Sequence, residues 1–269
     1  MFSLLFVASR RFREELALAE RMMNAFPFIQ GVSININNAP DNVILGNETV
    51  ALYGSPVLED ILCGKRFSIS PASFYQINAD CAEALYQTAS DLLALKSGDV
   101  VMDLYCGSGT IGLSVIQPGQ KLIGVEIVPD SVRDAEINAR MNGRTESDTV
   151  MFLGDASAGF SLCEAKFGKP DAIVVDPPRK GLSDDVIMQI LQSGCEKVVY
   201  ISCNPVSLAK DCARLCDRTY LIQKVIPFNM FPRTGHVETV VLLHRKNIDD
   251  HLEFTWTDEE FGKKKGTLS

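Results

Sequence analysis

The sequence predicts an α/β fold, with a doubly wound, mostly parallel sheet that ends in an antiparallel hairpin and follows a small α+β subdomain. From about residue 78 onward, short β-type runs alternate with helical patterns, which is typical of parallel strands joined by crossover helices. The last two β-type runs have only a short connection, so they are expected to pair antiparallel. Before residue 70 the β-type runs are separated by polar turns and by one helix.

The composition is that of an ordinary globular protein. The 269 residues are 46% hydrophobic and 22% charged, which excludes disorder, a coiled coil and collagen. No apolar run approaches the roughly 20 residues that a membrane-spanning helix needs, so we expect no membrane association. The net charge of −8 argues against a nucleic-acid binder that relies on overall positive charge, although a local basic patch stays possible on an acidic body.

The eight cysteines contain no CxxC pair, so we expect reduced thiols in a cytoplasmic protein, without a metal or an iron–sulfur cluster. Only Cys212 and Cys216 are close in sequence, and their spacing of four predicts one shared buried helix face. The apolar start has no preceding basic residues and is therefore predicted to be a strand rather than a secretion signal.

We predict a small α+β subdomain in residues 1–70, a larger α/β domain in residues 71–246 and a charged tail in residues 247–269. The first part contains one predicted helix at Arg11–Ala25. Its predicted β-type runs are Ser3–Ala8, Val32–Asn37, Asn42–Gly46, Glu48–Gly54 and Lys65–Ser70.

In the larger domain, strands and helices are predicted in alternation until the final pair of strands. The predicted helices are Ala79–Leu95, one after Gly109, Asp130–Met141, Ala156–Phe167, Asp184–Ser193 and Ser207–Cys216. The predicted strands are Val100–Leu104, Leu122–Glu126, Thr149–Leu153, Ala172–Val175, Lys197–Ile201, Tyr220–Pro227 and Val237–His244.

The first three strand ends of this domain predict a pocket for an adenosyl group. Gly107 and Gly109 follow the first strand and allow a ligand to approach the backbone closely. Their spacing is not the G-x-G-x-x-G of dinucleotide binders. Glu126 ends the second strand, where a carboxylate can accept hydrogen bonds from ribose hydroxyls, and Asp155 follows the third, near an adenine amino group. Together these ends indicate a pocket of the S-adenosylmethionine type; the alternative is ordinary turns with N-capping acids.

The next strand ends carry groups suited to catalysis. Asp176 opens a D-P-P-R segment whose prolines stiffen the backbone, so that it can form a wall for a planar group. Cys203 follows the fifth strand beside a helix N-terminus, which favours the thiolate. The last strand brings Glu238 or His236 to the same edge of the sheet as a possible general base.

Six motifs, FYQIN, DLYCGSGT, GVE, DPPRKG, SCNP and GHVETV, resemble the S-adenosylmethionine-dependent RNA uracil-5-methyltransferases over residues 3–245. The resemblance implies a Rossmann-like methyltransferase sheet, with Cys203 as nucleophile and Glu238 as the proton-abstracting base. It also implies cofactor contacts by Gln76, Tyr105, Glu126 and Asp176, and an aromatic surface at Phe74 for a flipped RNA base. Arg179 would contact phosphate or support its own loop.

The implied reaction is methyl transfer from S-adenosylmethionine to C5 of a uridine in ribosomal or transfer RNA, through a Cys203–C6 adduct in a monomer. Family members usually carry an oligonucleotide-binding barrel ahead of this region, so we expect either a fragment or a natural short form. Two alternatives are a methyltransferase for another substrate and a catalytically idle RNA-binding remnant. An amino-methylating enzyme is disfavoured because Arg179 stands where such enzymes carry an aromatic residue.

Overall fold

The computed structural model describes residues 2–39, 45–46, 48–71, 73–217 and 219–246. The predicted tail at 247–269 and most of the predicted run Asn42–Gly46 lie outside these residues. The helices are α1 Glu15–Ala25, α2 Ala79–Leu93, α3 Thr110–Val115, α4 Pro129–Met141, α5 Gly159–Phe167, α6 Asp184–Ser193 and α7 Pro205–Cys216. The strands are β1 Phe2–Ala8, β2 Ile29–Ile36, β3 Glu48–Gly54, β4 Leu58–Leu62, β5 Lys65–Ile69, β6 Val100–Leu104, β7 Lys121–Glu126, β8 Thr149–Leu153, β9 Ala172–Val175, β10 Lys197–Ser202, β11 Tyr220–Phe228 and β12 Glu238–Arg245.

The main sheet has seven strands in the order β11-β12-β10-β9-β6-β7-β8. Strands β6 to β10 are parallel, whereas β12 runs antiparallel to both β10 and β11. The predicted doubly wound sheet with a terminal antiparallel hairpin is therefore confirmed. The chain leaves β6 toward β7 on one side and later returns to β9 on the other. This reversal creates the crevice at the carboxyl ends where open α/β sheets bind ligands.

Helices cover both faces of this sheet because alternate strand residues point to opposite sides. Val100, Met102 and Leu104 of β6 pack with helices α5, α6 and α7. Val101 packs on the other face with helices α2 and α3. The parallel strands are consequently buried on both faces, which explains their nearly continuous apolar sequences. None of the helices in the described part of the chain combines the length and apolar character needed to cross a membrane.

The first residues form a separate three-stranded sheet in the order β1-β2-β3, with α1 packed against β2 and β3. Its apolar core includes Ala19 from the helix and Val32 and Ile34 from the central strand. Helix α1 begins at Glu15, four residues later than predicted. The Glu15 side chain accepts a hydrogen bond from the backbone N–H of Phe12 and pairs with Arg11, so the preceding residues form a turn.

The hairpin β4–β5 docks on helix α4, and its strand β4 was absent from the sequence prediction. The side chain of Asn142 bonds to both backbone groups of Arg66 (3.0 and 2.7 Å). Asn138 does the same with Ser68 (2.6 and 3.3 Å). One turn further, Asp134 accepts a hydrogen bond from the hydroxyl of Ser70 (2.6 Å). Polar side chains of a helix thus take the place of a neighbouring strand.

Candidate functional site

The turn between β6 and α3 has an unusual backbone. Tyr105, Gly107 and Gly109 all adopt left-handed conformations, with φ values of 66°, 55° and 80°. This region costs little for glycine but disfavours a tyrosine, and strain of this kind is concentrated at functional sites. A Cβ at Gly109 would lie 3.3 Å from both Ala135 and Leu113, so side chains crowd this position as well. The turn lies at the switch point of the sheet, where open α/β sheets bind ligands.

Glu126 holds this turn and its own strand end together. Its carboxylate accepts hydrogen bonds from the backbone N–H groups of Gly107 (3.1 Å), Ile127 (2.7 Å) and Val128 (2.8 Å). The carboxylate is half-buried, and Oε2, which accepts only the bond from Gly107, retains acceptor capacity. These hydrogen bonds therefore hold the Glu126 carboxylate in place before a ligand binds, at the position where the sequence predicts contacts with ribose hydroxyls.

Asp155 caps the short 3₁₀ turn that follows β8. One carboxylate oxygen accepts hydrogen bonds from the backbone N–H (2.9 Å) and the hydroxyl (2.7 Å) of Ser157. These bonds lower the pKa of Asp155 and keep it ionised. This capping is the alternative that the sequence left open for this acid, and the second carboxylate oxygen is not engaged by Ser157. A contact with adenine stays a prediction.

Two buried carboxyl groups, Asp103 and Glu238, and the half-buried Asp176 lie near the carboxyl ends of the central strands. Burial raises the pKa of Asp103 to about 7 and that of Asp176 to about 8. Burial also raises the pKa of Glu238, while the charge of Arg179 opposes that rise. The charges of Glu238 and Asp103 both contribute to the raised pKa of Asp176, so these acids repel one another when ionised. A cationic ligand would relieve this repulsion.

Among the described residues, the buried side-chain oxygens without a hydrogen-bond partner include Asp103 Oδ1 in β6 and Gln76 Oε1 on the segment that leads into α2. Buried polar atoms are normally paired, so an unpaired acceptor points to a missing donor. S-adenosylmethionine carries amino and hydroxyl donors together with a positive sulfonium, which suits unpaired acceptors and mutually repelling acids. The residues present therefore fit this group, and its contacts with Gln76, Tyr105, Glu126 and Asp176 stay predictions.

Cys203 lies in a separate cleft at the carboxyl end of β10. The cleft has a volume of about 250 Å³, and its lining includes Arg179, Cys203 and His236. Arg179 Nη2 donates a hydrogen bond to His236 Nδ1 (3.0 Å) across the cleft. Asn204 caps α7 and donates from Nδ2 to the carbonyl of Arg179 (2.8 Å), so the D-P-P-R loop and the Cys203 turn are tied together.

Glu238 begins β12 next to this cleft but is not among the residues that line it. In the antiparallel pairing of β10 with β12, Ser202 lies opposite Thr239. Cys203, directly after β10, and Glu238, at the start of β12, are the next residues outward, so their backbones are neighbours. Only 5% of the surface of Glu238 is exposed, whereas Cys203 is half-buried. The structure thus brings the two predicted catalytic residues to adjacent positions but opens only one of them to the cleft.

The two predicted RNA-contacting residues are both accessible. Phe74 is 73% exposed and lies on the segment that leads into α2, two residues before Gln76. Arg179 is exposed at the mouth of the Cys203 cleft. An exposed aromatic ring beside a polar crevice is suited to stacking with a nucleobase. The stacking and phosphate contacts themselves stay predictions.

One buried residue of the site was not found from the sequence. Asp211 Oδ2 on α7 accepts hydrogen bonds from the Tyr200 hydroxyl (2.7 Å) and from the backbone N–H of Leu182 (2.8 Å). It thereby fixes the end of the D-P-P-R loop to the helix that follows Cys203. The only sequence signal would have been a lone acid on the apolar face of α7, where it follows Leu208 by three residues and precedes Leu215 by four.

The seven-stranded order and the crevice at its switch point define a Rossmann-like methyltransferase fold. A family model described as tRNA (uracil-5-)-methyltransferase matches residues 62–246. The chain therefore belongs to the tRNA (uracil-5-)-methyltransferase family, which confirms the resemblance seen in the six motifs.

Two curated relatives are named as uncharacterized RNA methyltransferases. One from Staphylococcus aureus is 39% identical over 237 residues, covering 88% of this chain and 52% of the relative. One from Streptococcus pyogenes is 42% identical over 225 residues, covering 83% of this chain and 48% of the relative. The chain thus spans about half the length of the curated relatives that it matches.

Solved structures show the same relationship. The tRNA (uracil-54, C5)-methyltransferase of Pyrococcus abyssi, in complex with S-adenosyl-L-homocysteine, superposes with a TM-score of 0.71 at 26% identity. The alignment covers 89% of this chain and 55% of that one. Trm5b of the same organism superposes with a TM-score of 0.59 at 12% identity, covering 90% of this chain and 72% of that one. At that identity the second match shows the fold alone.

Proposed function

We propose that this chain transfers a methyl group from S-adenosylmethionine to C5 of a uridine in RNA, with Cys203 as the nucleophile and Glu238 as the base. Family membership supports the RNA substrate and the methyl donor. The observation that carries the assignment of roles is the β10–β12 register, because it makes Cys203 and Glu238 neighbours at the carboxyl edge of the parallel strands.

Uracil C5 is too weak a nucleophile to be alkylated directly, so the enzyme must first activate it. The Cys203 thiolate adds to C6, and the electrons of the C5–C6 double bond move toward C5 and the neighbouring carbonyl. S-adenosylmethionine, when bound, supplies an electrophilic methyl group for this carbon. Glu238 then removes the C5 proton, the double bond forms again and the Cys203 thiolate leaves; Glu238 returns to its starting state when it releases this proton to solvent.

The burial of Glu238 has two consequences for this role. Its raised pKa makes the carboxylate a stronger base than an exposed glutamate, and nearby Arg179 favours the ionised form. The cleft-lining segment 235–237 directly precedes Glu238, so this segment must shift when a uracil enters and meets both residues. The target base must also leave its stack, and Phe74 offers it an exposed aromatic surface.

The nucleophile is tested with unmodified transcripts of transfer and ribosomal RNA and a methyl-tritiated donor. Cys203→Ala is expected to abolish methyl transfer while it leaves the binding of S-adenosyl-L-homocysteine intact. Cys216→Ala is the matched control, because this thiol is also half-buried but lies at the far end of α7. Turnover in Cys203→Ala would reject the nucleophile, and a parent that methylates neither RNA class would reject the RNA substrate.

The base is tested by following the covalent intermediate. Glu238→Gln keeps the shape of the side chain but does not accept the C5 proton, so the Cys203–RNA adduct should accumulate and survive denaturing electrophoresis. Because elimination needs that proton to leave, the parent should show less adduct under the same conditions. Normal turnover without an adduct would show that another group, such as His236, removes the proton.

A further inference from the structure

We propose that the larger cavity beside the Cys203 cleft binds the nucleobase directly adjacent to the target uridine. The inference rests on the proposed function, since it requires an RNA strand whose uridine enters the Cys203 cleft. It adds a second subsite, with an unpaired nucleobase as its ligand.

The cavity lies between the N-terminus of α2 and the loop that joins β11 to β12. Its volume is about 550 Å³, within the range of small-molecule binding sites. Ile77 and Asp80 line one side, and Met230, Phe231 and Thr234 line the other. Ile77 is 84% exposed, although it directly follows Gln76, whose side-chain oxygen is buried. A large apolar side chain held open at such a position is suited to contact a ligand.

One short loop forms the wall between the two cavities. Phe231 lines the larger cavity and His236 lines the smaller one that contains Cys203. Their rings meet edge to face, with centroids 6.4 Å apart and an interplanar angle of 83°. A uracil beside Cys203 and a base beside Phe231 would therefore lie on opposite sides of a wall formed by these two rings. Adjacent nucleotides of one splayed strand can occupy such a pair of sites.

Hydrogen bonds hold this wall in place. The Thr234 hydroxyl donates to the carbonyl of Phe231 (2.8 Å) and accepts from the backbone N–H of His236 (3.2 Å). Asn78 Nδ2 donates to the carbonyl of Met230 (3.0 Å), which ties the loop to the start of α2. The cavity is therefore built by specific contacts and is bounded by two anchored segments.

The lining favours a base over a phosphate. Asp80 is an exposed acid in the cavity and would repel a phosphate group, whereas Ile77 and Phe231 offer apolar surface for the face of a base. The exposed cations Arg179 and Arg233 lie instead on the D-P-P-R loop and on the dividing loop, where the sugar-phosphate backbone would pass. The positive charges thus lie where the phosphates of a bound single strand would pass, and the apolar surface lies where its base would bind.

The test combines one protein change with one RNA change. A synthetic oligoribonucleotide contains the uridine that the parent methylates, and two further versions lack the base on its 5′ or its 3′ side. Loss of one contacting base should lower kcat/KM by about 5- to 150-fold, the range for one stacked base. Ile77→Ala should cause a loss on the intact strand and little additional loss on the version that lacks the bound neighbour. Ile61→Ala is the matched control, because Ile61 is 65% exposed on β4 and lines neither cavity.

The outcomes separate the two proposals. If the parent methylates none of the tested RNAs, the proposed function fails, and the subsite fails with it. If the parent methylates the intact strand but neither abasic version changes kcat/KM by more than twofold, only the subsite is rejected. Equal losses from Ile77→Ala on intact and abasic strands would also reject it, since Ile77 would then act without contacting that base.

Discussion

The anchoring of the D-P-P-R loop by Asp211 gives a prediction that separates catalytic positioning from stability. Tyr200 and Tyr220 are both fully buried in the same apolar cluster, and each donates one hydrogen bond. The Tyr200 hydroxyl bonds to Asp211 (2.7 Å), which also holds the loop at Leu182. The Tyr220 hydroxyl donates to the carbonyl of Cys195 (2.8 Å), with the carbonyl of Ile190 as a more distant acceptor (3.4 Å), and both lie away from the Cys203 turn. Replacing either tyrosine by phenylalanine therefore removes a comparable bond.

Each tyrosine variant should lose about 1–2 kcal/mol of folding free energy, because one buried hydrogen bond disappears. For a chain of this size, the loss lowers Tm by roughly 2–8 °C. Asp211→Ala should cost more, about 2–6 kcal/mol, because it leaves two buried donors unpaired. Only Tyr200→Phe and Asp211→Ala should also reduce kcat/KM for methyl transfer, by about tenfold or more, because misplaced reacting groups slow catalysis steeply.

The assay compares Tm by calorimetry with kcat/KM on one methylated transcript, at a temperature where every variant is folded. Tyr220→Phe should lose stability but stay within about twofold of the parent in activity. If Tyr200→Phe loses as much stability and yet has the activity of Tyr220→Phe, Asp211 has no positioning role and only supports the fold.

Three further predictions concern the buried acids, a crowded glycine and the docked hairpin. Because burial raises the pKa of Asp176 from 3.8 to about 8, the folded protein retains a proton there that the unfolded chain releases, so stability should fall as pH rises from about 4 to 8. Asp176→Asn should flatten this fall in a series of Tm measurements, and identical slopes would contradict the account. Gly181→Ala should destabilise the protein more than Gly194→Ala in urea unfolding. Both positions have positive φ, but only at Gly181 would a Cβ lie 2.4 Å from Asp211, so equal costs would exclude the clash. Asn138→Ala should speed hydrogen exchange in β5 at least tenfold while β8 is unaffected, and unchanged protection of β5 would show that the hairpin does not depend on this side chain.

The main sheet was predictable from the sequence because its strands are short, buried and regularly separated by helices. The predicted β6, β8 and β9 match the observed bounds, and β7 and β12 differ by one residue. The missed strand β4 reads LEDIL, without the alternation or β-branched content that predicts a strand. The sequence also contains no clear signal for the turn between β4 and β5. Cys63 and Gly64 both have positive φ, as a two-residue hairpin loop requires, but cysteine is not a usual turn residue there.

The sequence predicted a site residue only where a chemically suitable side chain directly follows a strand. Gly107, Glu126 and Cys203 follow strands, so their presence at one edge of the sheet followed from the topology. The burial of Glu238 did not follow, because it depends on how the preceding loop packs. Asp211 also escaped detection, since a bond from an acid to a loop 29 residues away leaves no local pattern.

The hydrogen bonds between α4 and β5 join two elements that differ in their rise per residue. Four helical residues advance about 6.0 Å, whereas two strand residues advance about 6.6–6.8 Å. The pairs Asn142–Arg66 and Asn138–Ser68 stay in step, but the offset then grows to about 1.2–1.6 Å, and at the third pair Asp134 bonds to a hydroxyl rather than to the main chain. The helical and strand spacings therefore match for only two consecutive residue pairs. A longer hairpin would gain no further contacts of this kind, which limits how far this part of the molecule can grow without a new support.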